Sequence, residues 1–310
     1  MSEKTTPRYP IYILSKGRSE YCHTMKSLNK MKLQYYVCVE PQEVEAYTKA
    51  LDPRYATVLE LPFSNHGMGG GPARNWIWEH SIAQGDKRHW ILDDNISEWW
   101  RYHNNKRYRC ESGAIFRATE DFVDRFKNVP LAGLQYKFFV VDNSANYHPF
   151  VLNTRLMSCI LIENSCPHRW RGKYNEDVDL SIRVLKDGYC TILMYAFLAG
   201  KMGTQTLKGG NTEEIYGDGT FEKSKMLVNL HPDVVTLKQR YGRWHHHADL
   251  TGFKNNKLIK VDNYDEIIAK LPDYDEYGMT FVKGAGTDEV EKIDLKDKTY
   301  NIKKGELDFD

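Results

Sequence analysis

No stretch of this 310-residue chain approaches eighteen uninterrupted apolar residues, and the opening "MSEKTTPRYP" is polar, without the apolar centre of a signal peptide. The sequence therefore predicts neither a membrane span nor a secretory signal, and a cytoplasmic setting is expected. Its six cysteines (Cys22, Cys38, Cys110, Cys159, Cys166 and Cys190) are scattered and form no C-x-x-C pair. Several fall inside apolar runs, which fits reduced thiols better than a disulfide frame or a zinc site. Internal repeats and low-complexity tracts are lacking as well. What is plentiful is aromatic surface: 7 Trp, 20 Tyr and 12 Phe make a packed core affordable and disorder unexpected. The length suits one large domain, or one domain with an appendage.

A large net charge is missing too, but the formal +1 conceals an asymmetry. Residues 251–310 hold 10 Lys+Arg against 14 Asp+Glu, whereas residues 1–250 hold 33 against 28. The excess is clustered in "RYHNNKRYR" (101–109) and "HRWRGK" (168–173). Basic groups interleaved with aromatics suit nucleic acid, where phosphates meet Arg and Lys and bases stack on rings. A pair of solvated loops is an equally good reading of composition alone.

Along the chain, "PIYILS", "YYVCVE", "ATVLEL" and "HWILDD" read as four strands separated by helical spacing at 19–31 and 41–51 and by a glycine loop feeding a helix within 67–85. In "GGGPARNWIWEHSIAQG" Pro72 suits a first helical turn and Gly85 an exit. Alternating strands and helices predict an α/β class with a mixed, mainly parallel, helix-covered sheet over residues 1–100. In such sheets ligands sit beyond the carboxyl ends of the strands, where Ser15–Arg18, Glu40 and Asp93–Asn95 all fall. Further on, "ATEDFVDRFKN" predicts a helix opened by Thr119. The run 134–164 predicts two antiparallel strands around "NSANYHP", and "KYNEDVDLSIRVLKDGY" predicts a helix opening on Glu176 and Asp177. The glycine-rich 201–219 reads as a loop. Residues 1–250 then form the main domain, divided near residue 100, and 251–310 an acidic appendage with a strand–helix–strand pattern.

Asp93-Asp94-Asn95, directly behind an apolar strand, is the sharpest feature. Oxygen ligands at a strand end suit magnesium or manganese, but Asx side chains also cap turns. Glu176-Asp177 suits a general base near an acceptor hydroxyl, although the pair in isolation reads more readily as plain helix capping. "GGGPARN" lacks the Lys-Ser/Thr of a phosphate-binding P-loop, so its glycines read as permitting close backbone approach to a ligand. His245, His246 and His247 are either idle surface residues or a source of one metal ligand.

In the order "YILSKGR", "GGGPARNWIW", "WILDDNI" and "KYNEDVDLSIRVLKDGY", these pieces resemble a GT-A-fold glycosyltransferase. With "KGGNTEEIY" and "RYGRWHHH", the resemblance narrows to the TET/JBP-associated glycosyltransferases, implicated in glycosylating hydroxymethylated pyrimidines in phage DNA. It implies that Ser15, Lys16, Gly17 and Arg18 cradle the nucleotide end of a UDP-sugar, that Glu40 contacts the uridine, and that Arg74, Asn75 and Asp93 fix the donor. Asp94 and Asn95, with Asp93, would hold a divalent metal, Mn or Mg. Asn95 stands where an Asp is usual, so His245 or His247 would complete the coordination. Asp177, with Glu176 beside it, would be the base of an inverting displacement. If the acceptor is the hydroxymethyl group of 5-hydroxymethylcytosine in double-stranded DNA, Trp99, Trp100, Tyr102 and Trp170 become candidates for stacking. Arg101, Lys106, Arg107, Arg109, Arg169 and Arg171 become candidates for phosphate contacts. The alternatives are a polysaccharide, lipid or protein acceptor, or a nucleic-acid-binding module with a decayed site.

Overall fold

The computed structural model describes residues 3–142, 147–201, 220–240, 242–271, 279, 281–283 and 292–293. In chain order these hold β1 (Ile11–Leu14), α1 (His23–Lys30), β2 (Tyr35–Val39), α2 (Val44–Ala50), β3 (Ala56–Glu60), α3 (Gly71–Ala83) and β4 (Arg88–Asp93). There follow β5 (Ile96–His103), β6 (Lys106–Cys110), α4 (Ala114–Val123), β7 (Leu131–Tyr136), β8 (Phe150–Leu152), β9 (Cys159–Glu163), α5 (Glu176–Lys186) and β10 (Thr191–Lys201). Last come α6 (Thr220–Leu230), β11 (Val235–Arg240), β12 (Arg243–Ala248), α7 (Tyr264–Ala269), β13 (Phe281–Lys283) and β14 (Lys292–Ile293).

The first hundred residues build what the alternation predicts. β3, β2, β1 and β4 lie side by side and parallel, in that order. β1 is apolar throughout because it is central and covered on both faces, as parallel strands are. α1 and α4 pack on one face, where Met25, Leu28, Ile115 and Phe116 meet Trp90 and Trp99. α3 and α5 cover the other, where Ile77, Trp78, Leu180 and Val184 meet Tyr12, Ile91 and Ile160. The result is an α/β architecture, with a mixed sheet between two helical layers.

Beyond β4 the sheet is mixed. β9 is antiparallel to β4 and to β7, and β10 runs parallel to β7, which places its two neighbours β5 and β8 antiparallel to it. Consequently the ends of β1, β2, β4, β7 and β10 and the start of β9 share one edge of the sheet. The register makes this explicit: Leu14 faces Cys38 and Asp93, Leu92 faces Cys159, and Ala199 faces Tyr136.

Three local expectations change. α4 opens at Ala114, not Thr119; the Ser112 hydroxyl accepts the Ala114 amide, and Thr119 is mid-helix, bonding back to the Ile115 carbonyl. Between residues 134 and 164 the antiparallel pair is β7 with β9, and the chain adds β8 against β10. Part of the "NSANYHP" turn, at 143–146, lies outside the described residues. The appendage is tied to the main sheet where it is described. β13 pairs with β6, and the Asn128, Asn153 and Asn256 carboxamides bond to backbone carbonyls across the join.

Candidate active site

The shared strand edge gathers most of the residues singled out from the sequence. Ser15 Oγ lies 2.6 Å from the Tyr47 hydroxyl and donates to Asp94 Oδ2 at 2.8 Å. Lys16 reaches both Glu40 oxygens, at 3.1 and 3.0 Å. Gly17 takes a positive φ of 66°, and its amide donates to Glu43. Arg18 Nη1 sits 2.6 Å from Asp94 Oδ1. Burial works against the charge of Glu40, yet Lys16 and Gln42 hold its pKa below the ordinary carboxylate range. The loop after β1 and the end of β2 thus form one charged cradle.

Asp93 and Asp94 are neighbours in sequence but engage different elements. The Asp94 side chain turns to the β1 loop, while Thr24 binds the carbonyls of both residues. Asp93 turns the other way: Oδ1 accepts Arg74 Nη2 at 2.9 Å, and Oδ2 accepts Ser158 Oγ at 2.5 Å and Lys201 Nζ at 2.8 Å. Burial opposes the charge of Asp93, but Lys201 and Arg74 outweigh it and hold the carboxyl well below its usual range. For Asp94 burial prevails over Arg18, and its pKa rises.

Arg74 links this group to the start of α5. Its Nε lies 3.6 Å from Glu176 Oε1, and its guanidinium stacks 4.9 Å from the Trp170 ring. A Cβ on Gly70 would sit 3.2 Å from both Arg74 Nε and Glu176 Oε1, so the glycine loop does allow a close approach. Asn175 enters the helix in the left-handed region with no side-chain cap, leaving Glu176 and Asp177 as the first helical residues. Burial raises the pKa of both; Arg74 opposes this, while each of them also feels Asp93. A buried carboxylate with a raised pKa is a better proton acceptor than a solvated one. Behind them the fully buried Asp179 binds Arg171, Arg183 and His231, anchoring the helix from which Asp177 projects.

A family model described as TET-Associated Glycosyltransferase matches residues 9–210, a span that contains this whole edge. The chain belongs to that family. It is a glycosyltransferase, and a nucleotide-sugar donor goes with that activity. No curated protein matches the chain. Among solved structures it is similar to a protein from Desulfovibrio desulfuricans G20 provisionally described as a nucleotide-diphospho-sugar transferase. The identity is 9%, covering 61% of this chain and 80% of that one, with a TM-score of 0.36.

The divalent cation implied by the resemblance does not fit the glycosyltransferase's residues as they stand. All four oxygens of Asp93 and Asp94 have partners, among them three cationic side chains. Asn95 Oδ1 is buried without a hydrogen-bond partner among the described residues, but one neutral oxygen is not a coordination sphere. Among the described residues no group of three or more His, Cys, Asp or Glu is placed to hold a metal. His245 and His247 are exposed on β12 and do not join Asp94 and Asn95. Strand alternation turns His246 inward instead, and burial lowers its pKa to about 4.

Other expected residues also take different places. The Asn75 carboxamide both donates to and accepts from the Trp170 backbone, at 2.8 Å each way, so it pins that loop. Trp99, Trp100, Tyr102 and Trp170 are buried, which removes them as stacking surfaces. Trp99 meets Phe116, and Trp100 lies beneath Lys137, 3.6 Å from its ring centroid. Most of the basic cluster is paired: Arg107 with Asp142, Arg109 with Glu98, Arg169 with Glu79, and Arg171 with Asp179. Arg101 is half-buried on β5, and Lys106 is exposed. Residues of "KGGNTEEIY" lie outside those described.

Sequence reasoning missed Tyr136, Ser158 and Lys201, which complete the Asp93 network. Tyr136 Oη lies 2.6 Å from Ser158 Oγ, and Lys201 Nζ lies 2.6 Å from the same hydroxyl. It also missed Phe138 and Phe139, 80% and 47% exposed just beyond β7. A Lys ending an apolar strand, and two adjacent Phe, were the available signals.

Proposed function

We propose that this glycosyltransferase moves a sugar from a UDP-sugar to the hydroxymethyl group of 5-hydroxymethylcytosine in DNA, inverting the anomeric centre in a single displacement. The observation that carries the chemical part is Asp177. It is a carboxylate in the first turn of α5, basified by burial and held in electrostatic reach of Arg74, Asp93 and Lys201 at the strand edge. On this reading Lys16, Gly17 and Arg18 receive the diphosphate, Glu40 the uridine, and Arg74 and Asp93 orient the sugar. Asp177 takes the acceptor hydroxyl's proton as that oxygen bonds to the anomeric carbon; the carbon–oxygen bond to the diphosphate breaks, and its electron pair leaves with UDP. Glu176, beside it, shares the proton's electrostatic environment.

Family membership supports the DNA acceptor, and with it a phage-encoded enzyme working in a host cytoplasm. A base inside a duplex must leave the stack to reach such a site. With the tryptophans buried, exposed Phe138 and Phe139, the second stacked on Tyr136, replace them as aromatic candidates for contact with the acceptor, and Lys106 remains the exposed basic residue of its cluster. The test offers radiolabelled UDP-glucose, UDP-N-acetylglucosamine and UDP-arabinose to duplexes with cytosine or 5-hydroxymethylcytosine and to a glycan acceptor. Label on the modified duplex alone is the expected result; label on a glycan but on neither duplex refutes the DNA acceptor.

A further inference from the structure

Two adjacent carboxylates at a buried strand end need a cation, and in this protein side chains supply it. Arg18 answers Asp94, and Arg74 and Lys201 answer Asp93. Lys201 is the informative one. It ends β10, which the parallel pairing with β7 brings to the same edge as Asp93. Its ammonium is held by Asp93 Oδ2 and Ser158 Oγ, so that two of its three N–H donors are engaged among the described residues. The Tyr136 hydroxyl donates to Ser158 Oγ, which in turn donates to Asp93, leaving the serine lone pair for Lys201. This relay fixes the ammonium's position. Lys201 also attracts Asp177, and its third donor has no hydrogen-bond partner among the described residues.

We propose that the Lys201 ammonium stands where the family resemblance implies a divalent metal, holding the leaving diphosphate so that donor binding and transfer proceed without a metal ion. This rests on the glycosyltransferase reading of the same edge. A divalent cation entering at Asp93 would have to displace an ammonium already bonded to the oxygen it needs, next to a guanidinium on the other oxygen. When the anomeric carbon–oxygen bond breaks, the negative charge builds on a phosphate oxygen, and a preplaced ammonium stabilises it without changing its own protonation. Arg74, and Lys223 on α6, both act on Glu176 and Asp177 and add to the positive field.

Calorimetric titration of UDP into the full-length protein, once with EDTA and once with manganese, tests this directly. UDP is expected to bind with EDTA present, and manganese to change the affinity less than twofold. Lys201→Met is expected to weaken UDP binding about tenfold or more, the scale of one charge-assisted hydrogen bond, whereas Lys201→Arg retains most of it. Transfer by the wild-type enzyme should persist in EDTA. Binding only with manganese, or Lys201→Met binding as tightly as wild type, overturns the metal-free assignment and leaves the glycosyltransferase reading intact. No UDP binding in either buffer overturns both. If Lys201→Met fails to fold, the wild-type EDTA and manganese titrations still decide the matter.

Discussion

Replacing Arg74 by methionine removes the guanidinium between Asp93 and Glu176 while keeping an apolar side chain against Trp170. Glu176 and Asp177 are both pushed up by burial, and Arg74 is the largest influence holding them down. Without it both carboxyls rise further. An adjacent arginine favours the ionised carboxylate, so without it the acid limb of the kcat/KM profile should move to higher pH. Below that limb each unit removes about tenfold of the ionised base, and the rate with it. Stability should fall as well. Losing one partner of a buried ion pair typically costs about 3–5 kcal/mol, and the lower end applies here because Lys201 still answers Asp93 and Glu176 can protonate. Transfer rates measured across the neutral pH range, with denaturant unfolding alongside, read both effects. A folded Arg74→Met enzyme whose acid limb stays put, or moves down, would refute the electrostatic role assigned to Arg74.

Asp177→Asn keeps the shape of the first turn and removes the proton acceptor; kcat is expected to fall by about 10²–10⁴-fold with UDP affinity little changed, and an unaffected kcat would exclude Asp177 as base. Asp179→Asn weakens a fully buried carboxylate's hold on Arg171, Arg183 and His231. Unfolding free energy should drop by about 3–5 kcal/mol, and a change near zero would show that the network does not anchor α5. Trp100→Ala should destabilise the fold by about 3–5 kcal/mol, because this ring belongs to the core. Phe138→Ser, at an exposed ring, should leave the melting temperature unchanged and raise KM for modified DNA severalfold; equal KM values in that variant and wild type would count against an aromatic acceptor rim.

Much of the donor side was legible because parallel α/β folding translates sequence into position simply. An apolar run ends, the next residue is at the strand's carboxyl end, and every such end in a parallel sheet points the same way. Ser15, Glu40 and Asp93 could therefore be placed together from the strings that precede them. Glu176 and Asp177 were legible for a similar reason, as carboxylates opening an amphipathic helix. The basic and aromatic residues at 99–109 were misread because composition does not distinguish the faces of a strand. Trp99 and Trp100 both point into packed layers because β5 is covered on both sides, and the nearby Arg109 and Arg107 find carboxylates, Glu98 on the adjoining β5 and Asp142 in the segment after β7.

The sequence by itself determined the α/β alternation, the strand-end carboxylates and the pair that opens α5, since each depends on periodicity and local chemistry. Only the tertiary structure decided which cation answers Asp93. Lys201 lies 108 residues away along the chain, and it arrives there because β9 reverses direction and β10 runs parallel to β7. Local pattern contains no record of that pairing. The two carboxylates and amide of "LDDN" thus announce a need for positive charge, and the sheet's connectivity supplies it from side chains.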